Sequence, residues 1–284
     1  MPEVVESMYF KWLNILKNTY LFHFISIPMK YIFFSFLFLL QTHFGKAQNT
    51  TDSISTSTAG EYFKSYWTNA GQFLTQPTRW KGKDWAIFGS SVAITAGLTR
   101  IDEDINKPFA RWNAKSQAFG KAGAFAGSTP VAVGSTLVTL GIATIIKNPK
   151  LKSFALDNLQ AQIFTGAFTY GVKNLFGRAR PINGRGANYW DGPLKANKFE
   201  SFFSGHSSVS FSTATMIYLH SHKKPWVGLI SYGMATGIGI SRMHYQKHWA
   251  SDVLMGAVSG WAVSSFIYHQ NEKRRTAKQV KVVI

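Results

Sequence analysis

Residues 241–252 read SRMHYQKHWASD and separate two apolar segments rich in small residues, at positions 226–240 and 253–269. Both segments have the length and composition of helices, so the stretch predicts a turn between neighbouring helices of an all-α protein. On a helix, His248 and Asp252 share a face because they are four residues apart. The carboxylate can then fix the imidazole tautomer and leave the other ring nitrogen as a nucleophile. An aspartate favoured by the helix dipole is the plainer alternative.

The same stretch allows a rival chemistry based on a metal. His244 and His248 are also four residues apart, which is a spacing that can ligate zinc. A zinc protease would need a glutamate beside them, and no third ligand follows Asp252 at helical spacing. We therefore predict no metal in the site and interpret Arg242 as one of its fixed cations.

A second stretch reads KNLFGRARP and ends at Pro181. The proline stops an apolar helical segment, which places Lys173 and Arg180 at the same end of that helix. Two cations there favour phosphate binding, although cations also suit any helix C-terminus. Arg178 and Arg185 either widen the anion-binding surface or are ordinary solvated charges.

The third stretch, Ser204-Gly205-His206, opens another apolar helical segment. Ser204 can cap that helix, and Gly205 lets the backbone approach an anion. The free N–H groups of a helix N-terminus can bind phosphate oxygens, with His206 beside the same anion. A plain serine cap with a bystander histidine is the alternative.

Composition limits the possible chemistry. The chain has 284 residues, with 31 Lys and Arg against 13 Asp and Glu, and no cysteine. The missing cysteine excludes disulfides and any thiolate nucleophile. A net charge of +18 favours phosphate esters and anionic membrane surfaces as partners. The basic residues are spread along the chain without a nucleic-acid-binding motif, so we predict no nucleic-acid partner.

The N-terminus is typical of an exported protein. From Met29 the chain reads MKYIFFSFLFLLQTHFGKAQ, with a positive start, an apolar run and small residues near Ala47. This pattern predicts a signal peptide cleaved near that alanine, with translation beginning at Met29, and a membrane anchor is the alternative. We therefore divide the chain into four parts: a leader and signal peptide (1–47), a linker and aromatic segment (48–84), a helical bundle (85–270) and a basic tail (271–284).

Five or six helical segments rich in small residues are predicted, and no clear strand: 85–98, 119–146, 154–176, 207–220, 226–240 and 253–269. Small residues let helices approach closely, as in membrane bundles, whereas the polar residues after position 156 disfavour lipid. Lysines and arginines cluster in loops and a tail at the end opposite the three stretches, which favours a membrane-embedded bundle with an outward-facing site. If the first segment, 85–98, lies at the membrane interface, the other five segments span the membrane and give this orientation. A helical bundle packed in water is the alternative.

In their order and spacing, the three stretches resemble the type 2 phosphatidic acid phosphatase superfamily, which also contains vanadium haloperoxidases and bacterial acid phosphatases. The family pattern is K-x6-R-P, then P-S-G-H, then S-R-x5-H-x3-D. The chain matches every position except Phe203, where the family usually has proline, and the resemblance covers residues 119–269.

The resemblance implies that five groups bind the phosphate oxygens: Lys173, Arg180, Ser204, Gly205 and Arg242. It also implies that His248 attacks phosphorus to form a phosphohistidine and that Asp252 orients the attacking ring. His206 would protonate the leaving oxygen and then activate water. No cofactor is implied.

The implied function is hydrolysis of lipid phosphate monoesters or diphosphates, on the periplasmic side of the inner membrane in the cell envelope. A soluble periplasmic acid phosphatase of broad specificity is the first alternative. A vanadium-dependent haloperoxidase and a scaffold that keeps an inactive phosphatase fold are the others.

Overall fold

The computed structural model describes residues 59–193 and 200–283, with side chains to residue 280. This part of the chain forms eight α-helices, two 3-10 turns and no β-strand, which confirms the all-α prediction with more helices than expected. The helices are α1 (Ala59–Leu74), α2 (Gly82–Lys115), α3 (Ala118–Ala126), α4 (Thr129–Ile145), α5 (Pro149–Phe176), α6 (Gly205–His220), α7 (Pro225–His244) and α8 (Ala250–Val283). The predicted leader and signal peptide lie outside the described residues.

The helix α2 is longer than the predicted segment 85–98, and it continues through the acidic residues 102–104. Asp102 is fully buried there and accepts a hydrogen bond from the Ser251 backbone N–H at 3.0 Å. The predicted end of this helix at residue 98 is therefore wrong. A partner from the far end of the chain offsets the cost of burying the carboxylate, so the helix continues.

The predicted helix 119–146 is broken into α3 and α4, which meet at an angle of 46°. Pro130 lies in the first turn of α4, where it lacks an N–H to continue the helix from α3. The tilt brings α3 onto α7. A Cβ added at Gly123 would lie 1.8 Å from Ser241 Oγ, so only glycine fits at this contact.

The core forms where α6 lies against α8. At Gly260 an added Cβ would lie 2.1 Å from the Ser208 carbonyl oxygen, so the two helices approach closely only because this residue has no side chain. Apolar side chains from both helices, among them Met216, Val263 and Ile267, are buried below that contact. The small residues thus allow close packing, as the sequence predicted.

The helix α1 lies within the segment predicted to be a linker and aromatic stretch. Its Asn69 is fully buried and donates to Gln160 Oε1 of α5 and Asn271 Oδ1 of α8, each at 3.3 Å. Asn271 also donates to Asp157 Oδ1 at 2.6 Å. The polar residues of α5 therefore bind other helices and do not face the surroundings of the bundle.

In the described residues, Ala250–Val280 of α8 is long and apolar enough to cross a membrane, with mean hydropathy 1.3. The pair α3 and α4 also qualifies when counted as one span across its bend. The helices α5, α6 and α7, which were expected to span, do not reach that length and hydropathy. Many large apolar side chains are nevertheless exposed around the bundle, including Ile145, Leu229 and Val138.

Candidate active site

The three stretches meet at one end of the bundle, where α5 and α7 end and α6 and α8 begin. The Ser204 N–H donates to the Asp252 carbonyl oxygen at 3.0 Å, which joins the second stretch to the third. Trp249 Nε1 donates to the Ala179 carbonyl oxygen at 2.8 Å and joins the third stretch to the first. Trp249 is buried at this contact, so it packs beside the site.

Lys173 and Arg180 lie on either side of the end of α5. The helix ends at Gly177, whose φ of 57° is the left-handed conformation that glycine favours. Lys173 Nζ donates to the Glu200 carbonyl oxygen, and Arg180 Nη2 lies 3.8 Å from Glu200 Oε2. Glu200 was not singled out from the sequence, since no motif marks it.

Arg242 occupies the last turn of α7 and is only 6% exposed. Its Nε and Nη1 atoms, and Nε of Arg180, are buried with no hydrogen-bond partner among the described residues. Burial and the neighbouring Arg180 charge lower the pKa of Arg242 to about 10, so the guanidinium stays charged at neutral pH. Buried donors without a partner are costly, and an anion would satisfy them.

Ser204 is the N-cap of α6, as predicted, and its Oγ accepts a hydrogen bond from the Ser207 N–H at 3.3 Å. The start of this helix faces the cations, because a Cβ added at Gly205 would lie 3.9 Å from Lys173 Cε. The positive end of the helix dipole and the Lys173 ammonium group are therefore neighbours. This combination favours an anion at the helix start.

His206, in the first turn of α6, reaches across to α3. Its Nε2 lies 3.1 Å from the Ala124 carbonyl oxygen, which fixes Nε2 as the protonated nitrogen. Burial and the nearby cations, above all Arg242, lower the pKa of His206 to about 4. The ring is therefore neutral at pH 7, and Nδ1 is its free acceptor.

His248 lies in the turn between α7 and α8 and is 4% exposed. Its Nδ1 donates to the Ser201 carbonyl oxygen at 2.8 Å, so Nε2 carries the free lone pair. Burial, then the cations Lys173 and Arg242, lower the pKa of His248 to about 3, although Asp252 opposes the shift. The imidazole is therefore neutral, as an attacking nitrogen must be.

The direct bond expected between His248 and Asp252 is absent, because Nδ1 and Oδ2 are 3.9 Å apart. Asp252 Oδ2 instead accepts from Ser201 Oγ at 2.5 Å and from the Trp249 N–H at 2.8 Å. Ser201 therefore links the two residues, because its hydroxyl binds the carboxylate and its carbonyl binds the imidazole. Nothing in the sequence pattern marked this serine.

Arg178 is fully buried, so the interpretation of this residue as a solvated charge is wrong. It donates to Asp252 Oδ1 at 2.5 Å and to Asp102 Oδ2 at 2.7 Å. The acidic residues 102–104 were the available signal for a buried cation, but they lie far away in the chain. Arg185, by contrast, is exposed with its guanidinium 5.5 Å from the Tyr189 ring centre.

His244 lies in an aromatic contact, with its ring centre 4.2 Å from that of Trp112 and 5.6 Å from that of Phe119. It is fully buried there. Across the described ranges, no group of three or more histidines, aspartates or glutamates is arranged to hold a metal. The three stretches bring together cations, two imidazoles and the carboxylate of Asp252.

Comparison with known proteins matches the part of the chain that carries the three stretches. A family model described as the PAP2 superfamily matches residues 154–276, which contain all three stretches. Lipid A 1-phosphatase from Porphyromonas gingivalis is 36% identical over 118 residues, which cover 41% of this chain and 23% of that protein. The probable diacylglycerol pyrophosphate phosphatase 1 of Schizosaccharomyces pombe is 30% identical over 93 residues, which cover 28% and 33%. The chain thus spans at most a third of the length of these two relatives.

Among solved structures, that of Aquifex aeolicus LpxE aligns with a TM-score of 0.40 and 21% identity, over 57% of this chain and 93% of that one. The helices α1 to α4 lie before the first residue of the family match.

Proposed function

We propose that this chain, whose residues 154–276 match a model of the PAP2 superfamily, is a metal-independent phosphatase. It hydrolyses lipid phosphate monoesters or diphosphates through a phosphohistidine intermediate. One observation carries the proposal: in the described part of the chain, guanidinium nitrogens of Arg180 and Arg242 are buried without hydrogen-bond partners beside two neutral imidazoles. Fixed positive charge around the equatorial oxygens is the main requirement of phosphoryl transfer.

Binding comes first. Lys173, Arg180 and Arg242 hold the phosphate oxygens, and the capped start of α6 at Ser204 and Gly205 supplies N–H groups. The substrate displaces the Glu200 contacts of Lys173 and Arg180, of which the Arg180 pair is long, at 3.8 Å, and partly exposed. The three cations then neutralise charge that would repel a nucleophile.

His248 attacks phosphorus in the bond-making step. Its Nε2 lone pair forms the N–P bond while the bond from phosphorus to the leaving oxygen breaks. The ring then carries a positive charge, which the Nδ1–H bond to Ser201 and the nearby Asp252 carboxylate stabilise.

The leaving oxygen takes a proton from His206. Burial and the nearby cations hold the pKa of His206 at about 4 in the free protein, and phosphate binding makes the transfer possible because the dianion offsets those cations. In the second half-reaction His206 accepts a proton from water, the water oxygen bonds to phosphorus, and the N–P bond breaks. The imidazole of His248 is thereby restored, and orthophosphate leaves.

Two observations support a lipid substrate at a membrane. The relatives named above are, by their names, phosphatases of lipid A and of diacylglycerol pyrophosphate. Large apolar side chains are exposed on several helices, as expected of a surface that contacts lipid. We infer an inner-membrane protein whose site faces the periplasm, since the basic loops and tail lie at the end of the bundle opposite the site.

Phosphate release across a panel of lipid phosphates and diphosphates, with and without detergent, tests the proposal. His248→Ala should lower kcat by about 10²–10⁴-fold, because it removes the nucleophile. His269→Ala is the matched control, since His269 is exposed on α8 and bonds only to the Ser265 carbonyl oxygen.

Equal turnover by the wild type and His248→Ala would remove the phosphohistidine from the mechanism. A radioactive phosphate label trapped by acid-free quenching in the wild type, and missing in the variant, identifies the intermediate directly. Activity confined to a detergent-free soluble fraction would favour the soluble acid phosphatase instead.

A further inference from the structure

We propose that Asp102 and Arg178 are positioning residues of the active site, and that α2 thereby completes a site whose motifs all lie in later helices. The proposal rests on the proposed phosphatase function. Arg178 occupies a position that the K-x6-R-P pattern leaves variable, and Asp102 precedes the matched residues 154–276. Neither touches the phosphate in this view, since both act through Asp252 and Ser201.

Arg178 is the centre of this arrangement. Its side chain is fully buried and its guanidinium donates to four acceptors on three different parts of the chain: Ala187 O at 2.9 Å, Ser251 Oγ at 2.7 Å, Asp252 Oδ1 at 2.5 Å and Asp102 Oδ2 at 2.7 Å. Trp190 and Trp249 lie against it, with ring centres 4.9 and 5.7 Å from Cζ. A guanidinium with four of its five N–H groups bound is held rigidly.

Asp102 closes the network from the other side. Its Oδ1 accepts from the Ser251 N–H at 3.0 Å, and its Oδ2 accepts from both Ser251 Oγ and Arg178. The start of α8, which carries Asp252, is therefore fixed to α2. Without Asp102, the Ser251 N–H at the beginning of α8 would lose its acceptor.

A continuous path leads from Asp102 to the attacking imidazole. Arg178 binds Asp252 through one carboxylate oxygen, and the other oxygen accepts from Ser201 Oγ. The Ser201 carbonyl accepts from His248 Nδ1, while the Ser201 N–H donates to the Arg178 carbonyl at 2.9 Å. Arg178 thus holds Ser201 both through its own backbone and through Asp252.

Electrostatics give Asp102 a second effect. Arg178 is shared between two carboxylates, and the group of three carries a net charge of −1. If Asp102 were neutral, Arg178 would neutralise Asp252 alone, and less negative charge would face the positive ring that forms when His248 is phosphorylated. The loss should therefore fall on the chemical step more than on substrate binding.

The test compares Asp102→Asn with Asp104→Asn as a matched control. Asp104 lies two residues away on α2, is 70% exposed and pairs only with Lys107. We expect Asp102→Asn to lower kcat by about 10–100-fold, the range typical of groups that orient a catalytic ligand, with KM changed by less than about twofold. The control should retain wild-type kcat and KM.

Nitrogen NMR of the His248 ring supplies a readout that does not need turnover. The wild type and Asp104→Asn should show one tautomer, protonated at Nδ1, and Asp102→Asn should show a mixture. This measurement separates the two proposals, because a wild type without phosphatase activity would refute the function while the tautomer still reports on positioning.

Ser251→Ala is the second variant, in case Asp102→Asn does not fold. It removes the hydroxyl that joins Asp102 to Arg178 without changing any charge, and it should lower kcat in the same direction but less. The proposal is overturned if folded Asp102→Asn keeps wild-type kcat and a single His248 tautomer. It is also overturned if kcat falls only in proportion to lost folded protein.

Discussion

At the scale of single residues, this site keeps its charges uncompensated where an anion is expected and compensates them elsewhere. Arg178 has four acceptors, whereas Arg242 has two buried nitrogens without any partner among the described residues. Both are buried arginines, so burial alone does not separate their tasks. Their tasks differ because the described part of the protein supplies hydrogen-bond acceptors for one guanidinium and not for these nitrogens of the other.

Replacing Arg242 should therefore damage activity and spare the fold. We expect Arg242→Gln to lower kcat/KM by about 10²–10³-fold, because a fixed charge on the transferring phosphoryl group is lost. The melting temperature should stay the same or rise, since no protein hydrogen bond to Nε or Nη1 is broken. Arg185→Gln, at an exposed arginine, is the control for both measurements. A large drop in melting temperature for Arg242→Gln would mean that this residue is mainly structural.

The depressed pKa values of His248 (about 3) and His206 (about 4) predict how stability depends on pH. The unfolded chain binds these protons near the ordinary value of 6.5, so between that pH and the folded values it holds more protons than the native state. Stability should therefore fall as pH drops from about 6.5 towards 4, and these two groups should contribute no change above that range.

Melting temperatures measured from pH 8 to pH 4 check this dependence. His248→Gln should melt with a shallower loss on acidification, because one of the two titrating groups is gone, and His269→Gln should follow the wild type. Orthophosphate should reduce the acid loss in the wild type, since a bound anion favours protonated His206. An identical pH dependence in wild type and His248→Gln would show that carboxylates alone control it.

At the scale of elements, the break between α3 and α4 matters because α3 holds a catalytic candidate in place. The Ala124 carbonyl of α3 accepts from His206, and Gly123 lets α3 lie against Ser241 of α7. A straight helix through 119–146 would carry that carbonyl away from the site. The bend is therefore part of the site as well as of the fold.

Gly123→Ala should lower both stability and kcat, because its Cβ would lie 1.8 Å from Ser241 Oγ and push α3 outward. Gly134→Ala on α4 is the matched control. Nothing lies within 4 Å of a Cβ at that position, so the higher helix propensity of alanine should stabilise the protein by about 0.5–1 kcal/mol. Melting temperatures and turnover of both variants test this prediction. If Gly123→Ala and Gly134→Ala had equal stability and kcat, α3 would be able to move outward without loss of either.

At the scale of the whole molecule, the apolar surface and the distribution of charge both favour association with lipid. Exposed apolar side chains surround the bundle, and the lysines and arginines of the loops 147–152 and 221–224 and of the C-terminal end of α8 lie at the end away from the site. With a net charge of +18, such a molecule is expected to associate with anionic lipid.

The full chain should therefore partition with membranes and resist extraction by carbonate at high pH, as embedded proteins do. Turnover of a long-chain lipid phosphate should depend on detergent or vesicles, whereas turnover of a short soluble phosphate ester should not. Recovery of the folded, active chain in the carbonate supernatant would contradict embedding and leave a peripheral or soluble enzyme.

The sequence by itself determined the chemical groups and the helix ends that carry them. Ser204 caps α6 as expected, because capping depends on the backbone of neighbouring residues alone. The helix α5 ends at Gly177, four residues before the proline that was expected to stop it. The composition and spacing of the apolar segments likewise determined an all-α protein. These are local properties, so they can be recognised without coordinates.

Only the tertiary structure decided which charges are buried and which groups connect them. Asp102 meets Arg178 across 76 residues and Ser251 across 149, and no spacing rule links positions that far apart. A buried carboxylate is tolerated only where distant partners offset its desolvation, so its place depends on the whole packing arrangement. For the same reason Ser201, and not Asp252, proved to be the group bonded to His248.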